Sequence, residues 1–150
     1  MIHSMIFGFV GAAVGLACAI YLARQGSTGM YHAPWIASTV GAFAACWLTW
    51  QLMVERPRNY RVTKGIVAGL FAVGASHFAT WVLILWVGWL CGNVLRVCAD
   101  ETSANPLLAV PVSVLFAAIS LETMGWTLLV GAVLGAAYAK FRAAQAEKDD

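Results

Sequence analysis

The chain has 150 residues, 61% of them hydrophobic and 11% charged, with a formal net charge of +2 and a mean hydropathy of +0.78. Soluble domains carry roughly 25% charged residues, so a water-soluble class is excluded as the expectation, and the length suits one helical membrane domain. The charge is small and the basic residues are not interleaved with aromatics on an amphipathic element, which sets a nucleic-acid partner aside.

The first 23 residues hold no Lys or Arg. Their apolar stretch, about 5–23, is long enough to cross a hydrocarbon layer of ~30 Å at 1.5 Å per residue. It reads as a retained first helix and not as a cleaved leader, which needs a basic start and a shorter apolar core. RQGSTGMYHAP then marks a turn before a second span at about 34–54. In ERPRNYRVTK, Pro57 stops that helix and the basic residues mark the water phase. A third span comes next, at about 65–90.

The last apolar stretch, 102–139, carries Glu122 as its sole charge. As one helix it would extend ~57 Å, so a break is expected. Asn105-Pro106 has the chemistry of a helix start, Pro111 bends the helix beyond it, and Ser120 can cap a further helix with Glu122 in its first turn. The expectation is a short interfacial or re-entrant helix at about 106–119 and a final span at about 121–141, with a fifth full crossing as the alternative. The fold class is thus an all-α integral membrane protein, a four-transmembrane-helix bundle forming a single domain over 1–150, with an extra short helix before the last span.

Basic residues fix the orientation. Arg56, Arg58, Arg61, Lys64, Lys140, Arg142 and Lys148 fall on one side of this arrangement, Arg24 and Arg96 on the other, which puts both termini in the cytoplasm. The expected location is an inner (plasma) membrane of bacterial type.

Small residues four apart let helices approach closely in lipid, where no hydrophobic force draws them together. Such rows include Gly11 and Gly15, Gly65 and Gly69, and Gly131 and Gly135. VGAAVGLACA (10–19) and VGAVLGAAYA (130–139) match at six of ten positions, a pattern that residues this common produce by coincidence.

His77, in GASHFATW, lies 13 residues beyond Lys64, about 20 Å along a helix and near the middle of its span. An ionisable side chain there points to function by default. Two readings stay open: a proton, ion or substrate site shared with Thr80 and Glu122, or a neutral imidazole that ties two helices together through a hydroxyl or carbonyl. Burial disfavours the charged form and so favours the neutral one. Glu122 has its own plain reading, as a carboxylate in a first helical turn.

Cys91 and Cys98, in CGNVLRVC, fall on the outer side, where an oxidising compartment permits a disulfide. Cys18 and Cys46 lie inside spans and read as small apolar packing groups. There is no phosphate-binding glycine loop, no Gly-x-Ser-x-Gly and no metal-ligand cluster, so no catalytic residue, metal or cofactor is expected. The expected partners are the lipid bilayer and other membrane subunits or a second copy. The leading expectation is a small non-enzymatic subunit that stabilises, assembles or regulates a larger membrane complex. A small oligomeric transporter or channel using His77 is the alternative, and a membrane thiol or quinone redox protein is third.

Overall fold

The computed structural model describes residues 2–24, 34–95 and 105–149. Among these residues the structure is helical apart from short turns, with no strand. Helix α1 runs Ile2–Arg24. Helix α2, Pro34–Trp50, continues through a wide π turn at Gln51–Glu55. Helix α3, Val62–Trp89, continues through a second π turn at Leu90–Leu95. Helices α4, Pro106–Thr123, and α5, Trp126–Asp149, complete the chain. All five are long and apolar enough to cross a membrane.

The fourth helix corrects the expected boundaries. It begins at Pro106, with the Asn105 side chain accepting from the Leu107 N–H at 3.0 Å, and Pro111 lies within it. It runs past 119 to Thr123, so Ser120 is inside the helix and caps nothing. The break falls at Met124-Gly125. There the Met124 N–H still bonds the Ser120 carbonyl, and Thr127 and Leu128 restart the pattern with bonds to Met124 and Gly125.

The packed helix pairs are α1 with α2, α2 with α3, and α3 with both α4 and α5. Helix α3 is therefore the hub. Contacts move back along α3 as the chain advances through α4 and α5: Phe116 stacks on Trp81, Ser120 meets His77, Gly131 meets Gly69, and Gly135 meets Gly65. Both α4 and α5 thus run antiparallel to α3, one continuing the other as a rod bent at Met124-Gly125.

Most of the helix crossings are lined by small side chains, and a cluster of Phe7, Trp50 and Val54 fills one end. Ala68, Ala72 and Ala139 are 0%, 1% and 0% exposed, whereas Leu107, Leu129 and Ile36 are 82%, 71% and 69% exposed. Where α3 crosses α5, Gly65 and Gly69 face Gly135 and Gly131 so closely that a β-carbon on Gly69 would fall on the Gly131 carbonyl oxygen. Between α1 and α2, a β-carbon on Gly15 would stand 2.7 Å from the Ser38 carbonyl oxygen. Small residues at one helical repeat let two backbones come this close.

The connector after α2 turns on Arg58, whose φ of 52° lies in the left-handed region. Its N–H bonds the Glu55 carbonyl and the Asn59 N–H bonds the Val54 carbonyl, a helix ending that usually employs glycine. A β-carbon in this conformation costs roughly 1–2 kcal/mol, part of which glycine returns as flexibility of the unfolded chain. Arg58→Gly is expected to raise stability by about 0.5–1 kcal/mol; a lowered melting temperature in detergent would contradict this.

Candidate functional site

Past the Gly65, Ala68, Gly69 and Ala72 face, α3 carries His77 to the level of the α4–α5 break. Its Nδ1 lies 2.8 Å from Ser120 Oγ in the last turns of α4, and its Nε2 lies 3.3 Å from Thr127 Oγ1 in the first turn of α5. One imidazole thus bridges the two segments of the bent rod. Each hydroxyl also lies within bonding distance of a carbonyl of its own helix or of the break before it, Ser120 to Ala117 at 3.0 Å and Thr127 to Met124 at 2.7 Å.

A hydroxyl has one hydrogen to give. If both hydroxyls donate to their carbonyls, both must accept from the ring, and only an imidazolium has two N–H groups. A neutral ring donates once, so one hydroxyl turns its hydrogen from the carbonyl to the bare nitrogen. His77→Ala is expected to cost about 1–3 kcal/mol, at ~0.6–1.7 kcal/mol per interhelical hydrogen bond. The same loss of melting temperature from Ser120→Ala with Thr127→Val would identify the tie as its source; an unchanged His77→Ala protein would refute it.

The other expected members of this site separate. Thr80, one turn beyond His77, lines the same cleft, and its hydroxyl makes no hydrogen bond among the described residues. Glu122 is exposed; two positions beyond Ser120, it lies about 200° round the helix from it and does not join His77. A β-carbon added at Gly74 meets nothing within 4 Å. Among the described residues no helix uses that gap.

The cleft has a volume of about 360 Å³. Helices α1 and α2 form one wall, α3 the floor, and α4 with α5 the other wall. Val14, Cys18, Ala42 and Ile84 supply apolar lining, with Ser76, His77, Thr80, Ser120 and Thr127 as a polar strip along the floor and the far wall. The Ser76 hydroxyl donates to the Val73 carbonyl at 2.8 Å. Trp81 and Phe116 stack with ring centres 4.7 Å apart above His77. One end is closed by aromatic rings, since Phe7 lies 4.4 Å from Trp50 and 5.5 Å from Tyr138. Helix α1 reaches α5 at this end, where the Tyr138 hydroxyl donates to the His3 carbonyl. Away from it the extensive packing of α1 is along α2.

Beneath the aromatic plug lies a cluster not anticipated from the sequence. The Glu55 carboxylate accepts from Arg142 Nε at 3.1 Å, from Trp50 Nε1 at 3.3 Å and from the Tyr60 hydroxyl at 3.2 Å. Both charged side chains are about nine-tenths buried, at 10% exposure each. Arg142 also donates to Gln145 at 2.7 Å and stands over the Tyr60 ring. The π turn makes the Trp50–Glu55 contact: residues five apart diverge around an α-helix, but the wider turn brings them nearly in line. The one sequence signal for this cluster is an acidic residue, Glu55, at the foot of an apolar span and facing an otherwise basic connector.

Cys98 and the side chain of Cys91 lie outside the described residues, and so does the expected pairing between them. Cys18 and Cys46 carry free thiols. Among the described residues no group of three or more His, Cys, Asp or Glu side chains could hold a metal ion. Comparison with protein-family models, with curated proteins and with solved structures returned no match to this chain.

Proposed function

We propose that the chain is an integral membrane protein that crosses the bilayer four times, through α1, α2, α3 and the bent α4–α5 rod taken as one traverse. The residue distribution supports this, because alanine and glycine predominate in the interior, with Phe7, Trp50, Val54, Ile84 and Met124 among the larger buried side chains, while many Leu, Ile, Val and Phe side chains face outward, unlike a water-soluble fold. His3, the Arg56 to Lys64 connector and Lys140 lie at one end of the bundle, so that end is cytoplasmic. A reporter fused after residue 150 is expected on the cytoplasmic side; activity of a periplasm-dependent reporter at that position would overturn the topology.

Within that membrane reading the protein acts as a small structural, assembly or regulatory subunit of a larger membrane complex. The observation that carries this is that its strongest polar groups are engaged with one another, Glu55 by Arg142, Trp50 and Tyr60, and His77 by Ser120 and Thr127. Its outer surface, where many large apolar side chains are exposed, is then the face offered to other membrane helices. Co-purification at fixed stoichiometry with other membrane proteins in mild detergent is the expected result. A chain that purifies alone, and whose deletion leaves the membrane complexes of its cell intact, would overturn it.

The transporter reading draws on a different observation, the cleft that reaches His77. It expects His77→Ala to abolish flux in liposomes while the protein stays folded; loss of folding alone returns His77 to its role as a tie.

A further inference from the structure

We propose that the cleft between α1 and the α4–α5 rod is a binding site for one uncharged amphiphile, a molecule with an elongated apolar body and a single hydroxyl or carbonyl group. This goes beyond the subunit reading and rests on the membrane reading.

The volume of about 360 Å³ falls within the range of sites for small molecules, roughly 300–1,000 Å³. No Lys, Arg, Asp or Glu lines the cleft among the described residues. A carboxylate or ammonium group entering it would lose its hydration without gaining a partner of opposite charge, which is costly in an apolar site. The body of the ligand is therefore apolar, matching Val14, Ala42, Val73 and Ile84 along the walls.

The polar end is located by Thr80. Its neighbours on the floor and far wall are occupied: Ser76 bonds Val73, and Ser120 and Thr127 bond both His77 and nearby carbonyls. Thr80 alone in this strip brings a hydroxyl with no hydrogen bond among the described residues. It can donate to a carbonyl or hydroxyl of the ligand and accept from a hydroxyl. Thr80 is half-buried beside Gly41 of α2, and a ligand oxygen would supply the partner that the described residues do not.

The route of entry agrees with the ligand's character. The aromatic plug of Phe7, Trp50 and Tyr138 shuts the end at the basic connector. Among the described residues neither α4 nor α5 packs extensively on α1, so the side between α1 and the rod, which faces the acyl chains in the proposed topology, is taken as the mouth. The molecule arrives from the bilayer and lies with its tail among the walls and its oxygen at Thr80.

The test uses the full chain purified in detergent, with 1-decanol, decane and sodium decanoate as probes and thermal stability as the readout. The expected result is a saturable rise in melting temperature with 1-decanol that exceeds the rise with decane or decanoate at equal concentration. Thr80→Val, which keeps the shape and removes the hydroxyl, should raise the half-saturating decanol concentration about fivefold, the value of one hydrogen bond of ~1 kcal/mol. Val14→Trp, which fills the cleft from α1, should abolish the saturable response. The proposal is overturned if decane stabilises as well as decanol, if decanoate binds best, if Thr80→Val responds like the wild type, or if no probe gives saturation. An equal response in a folded Val14→Trp protein would place the binding on the outer surface and overturn it too. These measurements need no partner complex, so their outcome is separate from co-purification, and the fusion reporter tests the membrane topology independently.

Discussion

Gly69→Val is expected to destabilise the protein by about 3 kcal/mol or more, the upper range for overfilling a packed interface. A β-carbon at this position would fall on the carbonyl oxygen of Gly131, and one at Gly65 on that of Gly135. The obstacle in each case is backbone, which cannot rotate away as a side chain can. Helix α5 would have to withdraw along the crossing, losing the contacts that bury Ala68, Ala72 and Ala139 and straining the Tyr138 and Arg142 interactions below. Gly8→Ala is the control. There the nearest atoms are the Phe43 ring edge and the Trp47 β-carbon, each at 3.0 Å; the ring can rotate and the β-carbon needs only a few tenths of an ångström of helix shift, so the cost should stay well below that of Gly69→Val, at about 1 kcal/mol. Denaturation in detergent should separate the two variants clearly; a Gly69→Val protein as stable as Gly8→Ala would show that the α3–α5 crossing does not carry the fold.

Arg142→Met is expected to cost about 3–5 kcal/mol, because it leaves the Glu55 carboxylate buried without its cation. Trp50 and Tyr60 would still donate to that carboxylate, but two neutral hydrogen bonds do not replace a charge. Glu55→Gln should destabilise for the reciprocal reason. The double variant should cost distinctly less than the sum of the two, since removing both partners leaves no isolated charge behind. Additive losses in this cycle would mean that Glu55 and Arg142 act separately. The pair lies 87 positions apart in the chain, so its loss would also loosen the junction between the α2–α3 connector and α5.

Much of the helical architecture is visible in the sequence, and the reasons are local. Apolar runs bounded by Pro, Gly or charged residues declare helices, and the Gly65, Gly69, Gly131 and Gly135 rows declare faces able to approach a neighbour. The break in the last third is not visible in the same way. Apolar character runs unbroken from 102 to 139 apart from Glu122, and Ser120 has the chemistry of a cap. The chain bends instead at Met124-Gly125, where His77, from 43 positions before Ser120, holds both sides. No local signal encodes that bridge. The Glu55–Arg142 pair escapes notice for the same reason: each residue reads as an ordinary charge at a span end until the fold brings them together. His77 is conspicuous because a lone imidazole in an apolar run is rare, while its partners are common hydroxyl residues with nothing to distinguish them. Thr80 stands close to His77 in sequence and Glu122 close to Ser120, yet one lines the cleft and the other is exposed.

The unequal reach of the helices bears on the lipid around them. The candidate span of α1 is 20 residues, Ile2–Tyr21, whereas that of α3 with its π extension is 33, Val62–Val94, with Lys64 near its start, or about 30 Å against about 45–50 Å. In the proposed bilayer a single flat hydrocarbon slab cannot match both. The lipid sheet should thicken beside the α3–α4 face and relax toward its resting depth beside α1, or the whole bundle should lean to share the difference. Such a wedge-shaped mismatch gives the protein a thick side and a thin side, and favours membranes rich in long-chain lipids.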